Sequence, residues 1–182
     1  MTDKAAAICS FFSIRIEQLY DLLKQNAGQI KSDCLRAEAE SSNFAEVIDM
    51  LADRIEIIRE MNPSQEIVLV EMVRKCLKDW AKQKDIEELR ELYLKLMESQ
   101  GKQPIERYRL ASTKTGHTVY RRLRVIRDHN ICIGNRYRNR ETGFAYRLIN
   151  ISATCLIKLK GKRGQISPDE LLKLFDPVPD DQ

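Results

Sequence analysis

The sequence predicts an α+β protein, in which an N-terminal bundle of four to five α-helices precedes a small, mainly β domain. Apolar residues recur every three or four positions through the first hundred residues, whereas beyond Gly101 they alternate and glycine occurs at turn positions. The charge changes sign at the same place. Residues 1–100 contain 14 Lys and Arg against 19 Asp and Glu, net −5, and residues 101–182 contain 17 against 8, net +9. These observations predict an acidic helical domain over residues 1–101, serving oligomerisation or docking, and a basic β domain over residues 102–182.

The first helix is predicted from a single apolar stripe. Its members, spaced by three and four positions, are Ile8, Phe12, Ile16, Leu19 and Leu23. Gly28 interrupts this pattern, and residues 30–40 follow as a second, short helix.

The later helices have clearer end signals. Ser41, Ser42 and Asn43 are candidate N-caps for a helix whose stripe extends from Phe44 to Ile58. Asn62-Pro63-Ser64 separates it from a stripe over residues 69–80, because proline is tolerated in the first turn of a helix. A last stripe over residues 86–96 is closed by Gly101. Short connections between helices favour an antiparallel bundle.

Some apolar residues of this half lie off the main stripes: Phe11, Ile14, Ile57, Val68 and Val70. They predict a second interface, most simply a homodimer formed through the helical domain. The alternative is a broad core face within one compact bundle.

The second half reads as a series of short strands. Residues 105–110 and 117–127 are predicted to pair as a hairpin around the turn at residues 113–116. Further strands are predicted at residues 136–140, 145–151, 154–160 and 165–166. Ser167 and Pro168 open a closing helical turn, and Asp176-Pro177-Val178-Pro179 ends the structured chain. Five or six short strands with tight turns predict a small, strongly bent barrel of the SH3-like or OB-like kind.

The basic charge is concentrated between Lys102 and Arg163. This segment has 16 Lys and Arg against three carboxylates, net +13, and arginine predominates up to Arg147. Guanidinium groups bind phosphate bidentately and stack on bases, so the bias towards arginine favours an anion-binding surface. The predicted partner is DNA or RNA. A solvated basic face, or pairing with acidic surfaces of this chain or of another protein, is the alternative.

Strand alternation predicts that Arg136, Arg138 and Arg140 share one face, with Tyr137 on the other. Tyr120 is the best candidate for base stacking, since it alternates with Arg122 and Arg124. The segment also contains Tyr108, Tyr137, Phe144 and Tyr146. Most of its aromatic residues are expected in the core of the small domain, Tyr146 above all. The predicted nucleic-acid-binding residues are Arg107, Arg109, Tyr120, Arg121, Arg122, Arg124, Arg127, Arg136, Arg138, Arg140, Lys158, Lys160 and Lys162.

The sequence contains no nucleophile motif, phosphate-binding glycine loop or dinucleotide fingerprint, and no cysteine–histidine metal cluster. His117 and His129 fall at predicted turns without an orienting partner. We therefore expect no enzymatic activity, metal or cofactor. Five scattered cysteines indicate buried, reduced thiols, and the apolar stretch over residues 5–12 is too short for a membrane span, which favours a cytoplasmic protein.

Together these features predict a non-enzymatic accessory or regulatory protein that contacts the phosphates of DNA or RNA. Single-stranded or structured nucleic acid is slightly favoured, because the pattern indicates no recognition helix for the major groove. The alternative function is an adaptor or structural subunit whose basic domain docks on an acidic protein partner.

Overall fold

The computed structural model describes residues 3–31, 33–41, 44–58, 66–106 and 114–179. The chain folds into two compact units, Met1–Asp85 and Ile86–Gln182. Helices fill the first unit, and the second combines helices with a small antiparallel sheet, so the predicted α+β class is confirmed. The division between the units falls within a helix, upstream of the change in charge at Gly101.

The helices up to that division are α1 (Asp3–Phe12), α2 (Ile16–Ala27), α3 (Asp33–Ser41), α4 (Ala45–Ile58) and α5 (Glu66–Glu98). The stripe predicted as one first helix forms two, since the chain breaks at Ser13, whose φ is +53°. Arg15 then begins α2, and its backbone N–H donates to the Gln18 side chain at 2.8 Å. This bond satisfies one donor at the helix start that has no partner within the helix.

The core of the first unit consists of the predicted stripes. Leu19, Leu23, Leu51 and Leu69 are fully buried in it. Of the residues off the stripes, Phe11, Ile14 and Val68 pack half-buried against this core, and Val70 is also half-buried. This placement fits a broad core face. The Ile57 side chain lies outside the described residues, and the homodimer stays a prediction.

Helix α5 is one continuous helix of 33 residues where the sequence stripes predict two. The connecting residues 81–85 contain neither glycine nor proline, so nothing in them breaks the helix. Leu69 and Leu77 of α5 belong to the core of the first unit, and Leu89 and Tyr93 belong to the core of the second. The helix therefore contributes to the cores of both units. The apolar stripe over residues 69–80 faces the first core, and the stripe over residues 86–96 faces the second.

Gly101 follows α5 with a φ of +62°, as predicted for a residue past a helix end. Its N–H donates to the carbonyl of Glu98 at 2.9 Å, and the N–H of Lys102 donates to the carbonyl of Met97 at 2.9 Å.

The second unit continues with α6 (Lys114–Asp128), β1 (Arg136–Asn139), β2 (Ala145–Ile151), β3 (Ile157–Leu159), α7 (Pro168–Leu174) and β4 (Phe175–Val178). The predicted strand over residues 117–127 is wrong, because this segment lies in α6. Its buried residues Gly116, Val119, Leu123 and Ile126 are spaced by three and four, which is a helical pattern. Much of the other strand of the predicted hairpin, from residue 107 onwards, lies outside the described residues.

The four strands form an open antiparallel sheet in the order β3-β2-β1-β4, so the predicted closed barrel is wrong. One face of the sheet packs in a common core with α5, α6 and α7. The helices cover the apolar face of the sheet, as further strands would in a barrel. The apolar face is therefore buried although the sheet stays open.

The expectation that Asp176-Pro177-Val178-Pro179 ends the structure is also wrong. This segment provides β4, in which Pro177 lies opposite Tyr137 of β1. Proline is tolerated there because β4 is an edge strand with one neighbour. The predicted cap of α7 is confirmed: Ser167 Oγ accepts from Glu170 N–H at 3.2 Å, and Ser167 N–H donates to Glu170 Oε2 at 2.8 Å.

Glu46 ties α4 to α5 in the first unit. Its Oε2 accepts a hydrogen bond from the indole N–H of Trp80 at 2.8 Å, and its Oε1 accepts from Lys84 Nζ at 3.1 Å. The hydrogen bond from Lys84, followed by that from Trp80, lowers the pKa of the Glu46 carboxyl below its ordinary value of 4.5. Trp80 is only 4% exposed, so its N–H depends on this acceptor.

Replacing Glu46 with Ala should lower the free energy of unfolding by about 1–2 kcal/mol at pH 7, because the buried Trp80 N–H loses its acceptor. Glu46→Gln, which keeps an acceptor, should lose less. Since the pKa of Glu46 is lowered on folding, the ionised carboxylate stabilises the fold above pH 4.5, and this contribution disappears as the pH falls through the lowered pKa. The deficit of Glu46→Ala should therefore shrink in acid.

The measurement is urea unfolding followed by the fluorescence of Trp80, the only tryptophan of the chain. Glu56→Ala, at an exposed position of the same helix, is the control. Equal stability of Glu46→Ala and the unmodified protein at pH 7 would contradict the assigned role of the carboxylate.

Candidate nucleic-acid interface

The basic residues of the second unit lie on two separate surfaces. The buried side of α6 and the inward side chains of the sheet share one core. The exposed face of α6 and the outer face of the sheet therefore point away from each other. The predicted set of binding residues does not form a single surface.

The arginines of α6 are largely engaged within the fold. Arg121 lies 3.7 Å from Asp169, and Arg122 Nη1 donates to the carbonyl of Thr154 at 2.7 Å. Arg127 pairs with Glu88 at 3.3 Å and with Asp128 at 3.0 Å. These contacts stabilise the unit and neutralise part of its charge. Arg124 is half-buried on the same helix.

Tyr120 belongs to this helix as well, so its predicted alternation with Arg122 and Arg124 along a strand is wrong. It is half-buried and packs against the core of the second unit. The period of two seen in the sequence arose because Val119 and Leu123, four residues apart, fit a strand face and a helix face equally well.

The outer face of the sheet carries a second group, which we call the basic sheet face: Arg136, Arg138, Arg147 and Lys160. Along β1, Arg136 and Arg138 are exposed while the intervening Tyr137 is only 2% exposed. The predicted alternation at these positions is confirmed. Arg147 projects outward between half-buried Tyr146 and buried Leu148 of β2, and Lys160 is exposed directly after β3.

Arg136 and Arg147 face each other directly on adjacent strands. Residues paired in this way have Cα atoms about 4.5–5.5 Å apart, and like charges directly opposite destabilise a sheet. The backbone N–H of Lys160 donates to the carbonyl of Arg147 at 2.9 Å, which places a third cation beside the pair. The three residues form a row across three strands, spanning about 10 Å.

Few carboxylates balance this row. Among the described residues, the side chains of Arg136, Arg138 and Lys160 make no hydrogen bond or ion pair. Arg147 Nε donates to the carbonyl of Gly134 at 3.2 Å, which orients the guanidinium and leaves both Nη groups available. The sheet therefore presents several unneutralised cations from a rigid element.

Arg140 differs from the other two arginines predicted beside it. It lies beyond the end of β1, and its Nε and Nη2 contact Asp176 Oδ1 at 3.0 and 2.9 Å. Its Nη1 donates to the carbonyl of Lys173 at 3.0 Å. These contacts hold the hairpin end to β4, so Arg140 serves the fold first.

Several lysines of the basic segment also have structural roles. Lys158 Nζ donates to the carbonyls of Lys162 and Gly164, and Lys162 Nζ lies 4.5 Å from the centre of the Phe175 ring. Lys102 Nζ donates to Gln100 Oε1, Asn150 Oδ1 and the Ile151 carbonyl at 2.6–2.7 Å, and burial lowers its pKa. Arg107 and Arg109 lie outside the described residues.

Arg147 is absent from the predicted set of binding residues, although its position between Tyr146 and Leu148 in a predicted strand places it on the side opposite the core. Phe144 is one of the aromatic residues of which most were expected in the core, and its side chain is 69% exposed at the end of the β1–β2 hairpin. The N–H of Asn139 pairs with the carbonyl of Phe144 at 2.9 Å. Phe144 precedes β2, so the alternation along that strand does not fix the side on which its ring lies. The strand residues that share the outward side with Arg138 and Arg147 include no aromatic residue among those the structure describes.

The described cysteines are free thiols. Cys76 and Cys155 are buried, and burial raises the pKa of Cys155 to about 12. Cys132 is exposed, contrary to the expectation of uniform burial, because it lies in the loop before β1. No group of three or more His, Cys, Asp and Glu side chains among the described residues could hold a metal ion.

Because Arg136 and Arg147 repel each other, Arg136→Thr should raise the free energy of unfolding, by about 0.2–1 kcal/mol at low salt, and added salt should diminish the gain. Arg138→Thr is the matched control, since Arg138 lies opposite Asp176 and Ala145 and has no like-charged partner in register. Urea unfolding followed by circular dichroism measures both. A gain as large for Arg138→Thr as for Arg136→Thr would contradict repulsion between the paired arginines.

The sequence matches no protein-family model, and no curated protein or solved structure is significantly similar to it. None of the described helices is both long and apolar enough to cross a membrane. What the protein binds must therefore be inferred from its own side chains and their geometry.

Proposed function

We propose that this chain is a non-enzymatic nucleic-acid-binding protein, of an accessory or regulatory kind, that contacts the phosphates of DNA or RNA with the basic sheet face. One observation carries the proposal: Arg136 and Arg147 oppose each other on neighbouring strands, both exposed and neither paired with a carboxylate among the described residues. A phosphate between two guanidinium groups would turn their repulsion into two attractive contacts.

The dimensions of the face support phosphate as the anion. The row from Lys160 through Arg147 to Arg136 spans about 10 Å. Successive nucleotides of one strand of duplex DNA rise by about 3.4 Å, so the row is long enough to meet more than one phosphate. Arg138, two residue pairs further along β1, extends the basic sheet face along the strand direction.

The composition of the face supports binding with little selectivity for sequence. Phosphate contacts position a protein, whereas contacts with base edges or stacking on aromatic rings specify bases. The outward strand residues of the basic sheet face include cations and no aromatic residue among those the structure describes. We therefore expect similar affinity for oligonucleotides of different sequence. The preference for single strands stays a prediction, although the basic segment contains the helix α6, which the sequence pattern did not indicate.

Changing Arg136 and Arg147 together to Ala should lower affinity for single- and double-stranded oligonucleotides at least tenfold at low salt. The slope of log K against log salt should flatten by about 2 if each arginine meets one phosphate. The control is Arg121→Ala combined with Lys95→Ala, which removes the same charge from exposed positions of α6 and α5. Fluorescence anisotropy of labelled DNA and RNA, with the full-length protein at several salt concentrations, measures both quantities.

Comparing the affinities of the two double variants distinguishes a binding site on the sheet from general electrostatic attraction between the protein and nucleic acid. Equal losses in both would indicate that net charge alone drives binding, and would contradict the assignment to the sheet. If the unmodified protein binds neither DNA nor RNA at low salt, the proposal fails. The alternative function, docking of the basic domain on an acidic protein, would then account better for the same face.

A further inference from the structure

A concave feature lies in the first unit and is unrelated to the basic sheet face. It is a cleft of about 280 Å³ between the end of α2, the residues that follow it, and one side of α5. Ile30, Leu77 and Ala81 provide its apolar lining, and the surface it exposes is predominantly apolar. A cleft of this size accommodates one ring or one short branched chain.

The charged residues lining this cleft are all cations: Lys31, Arg74 and Lys78. The unit as a whole has the opposite balance, since residues 1–85 contain 12 Lys and Arg against 15 Asp and Glu. Some other cations of the unit are paired, as Arg54 is with Asp79 and Lys84 is with Glu46, whereas exposed cations such as Lys75 and Lys82 have no carboxylate partner in the part of the chain that the structure describes. Among the described residues, none of the three cations of the cleft has a carboxylate partner.

A buried amide holds one of these cations in place. Asn26 is 7% exposed, and no other amide or charged side chain among the described residues is buried. Its Nδ2 donates to the carbonyl of Leu22 at 2.8 Å, and its Oδ1 accepts from Arg74 Nε at 2.8 Å. Because both ends of the amide are bonded, its orientation is fixed, and so is the direction of the Arg74 guanidinium. Both Nη groups of Arg74 remain without a partner among the described residues.

Helix electrostatics explains only part of this arrangement. Cations are favoured near the end of α2, where the helix dipole is negative. The helix dipole does not account for the buried Asn26 amide that holds Arg74, or for the apolar lining beneath the cations. A guanidinium fixed in advance loses little freedom when an anion binds, which favours binding.

We infer that this cleft binds a small organic anion, in which a carboxylate or phosphate is attached to a compact apolar group. The anionic group lies against the Nη groups of Arg74, with the ammonium groups of Lys31 and Lys78 adding attraction. The apolar group covers Leu77, Ile30 and Ala81. The site is independent of the proposed contacts with nucleic acid.

The test uses phenylacetate as the probe and ¹H–¹⁵N spectra of the full-length protein. Phenylacetate and phenyl phosphate should produce saturable shifts at the Asn26 side-chain amide and at the backbone amides of Ile30 and Leu77. Benzyl alcohol, which has the same ring without the charge, should bind at least tenfold more weakly. Arg74→Gln should weaken phenylacetate binding at least tenfold, and Lys75→Gln, a neighbouring exposed position outside the cleft, should change it less than twofold.

Urea unfolding followed by Trp80 fluorescence establishes whether each variant is folded. If Arg74→Gln does not fold, Arg74→Lys takes its place in the binding test. Arg74→Lys retains the charge but not the fork, so it should bind more weakly than the unmodified protein. Absence of saturable shifts with both anions would overturn the inference. Equal binding of benzyl alcohol, or equal losses in Arg74→Gln and Lys75→Gln, would also overturn it, because neither is compatible with an anion held by Arg74.

Discussion

The packing of α6 against the inner face of the sheet is the constraint on which the second unit depends. Val119, Leu123 and Ile126 of the helix share a core with Tyr137 and Leu148 of the strands. This packing fixes which side of each element is buried and leaves the opposite sides to solvent. The unit has basic residues on both layers, and the packing directs them to two opposed surfaces. Any partner that meets one surface approaches the sheet or the helix, but not both at once.

The same core explains how the two surfaces differ in available charge. Arginines on α6 lie near acceptors of neighbouring elements, such as Glu88 of α5 and the carbonyl of Thr154. The outer face of the sheet has fewer neighbours, because no described element covers it. Its cations consequently stay unneutralised, and Arg136 and Arg147 stay opposed despite the electrostatic cost. Charge that is costly for the fold and available to solvent is the physical basis for the proposal that this face binds an anionic partner.

Much of the architecture followed from local patterns. Helix-period stripes gave most of the helices of the first unit, and β1, β2 and the cap of α7 lie close to their predicted positions. The wrong predictions for α6, β4 and the barrel share one cause: a local sequence pattern does not show which other elements pack against a segment. The stripe of α6 was compatible with a strand, and β4 contains a proline that an edge position tolerates. A count of short strands suggested closure, yet helices complete the core instead.

The sequence by itself determined the α+β class, the concentration of arginine after residue 101 and the outward direction of Arg136 and Arg138, because composition and alternation are local properties. Only the tertiary structure decided which of these charges remain free. Pairing placed Arg147 opposite Arg136, brought Asp176 to Arg140, and separated the arginines of α6 from those of the sheet. These relations join residues distant in the chain, and they arise because a shared apolar core fixes the register and orientation of the elements around it.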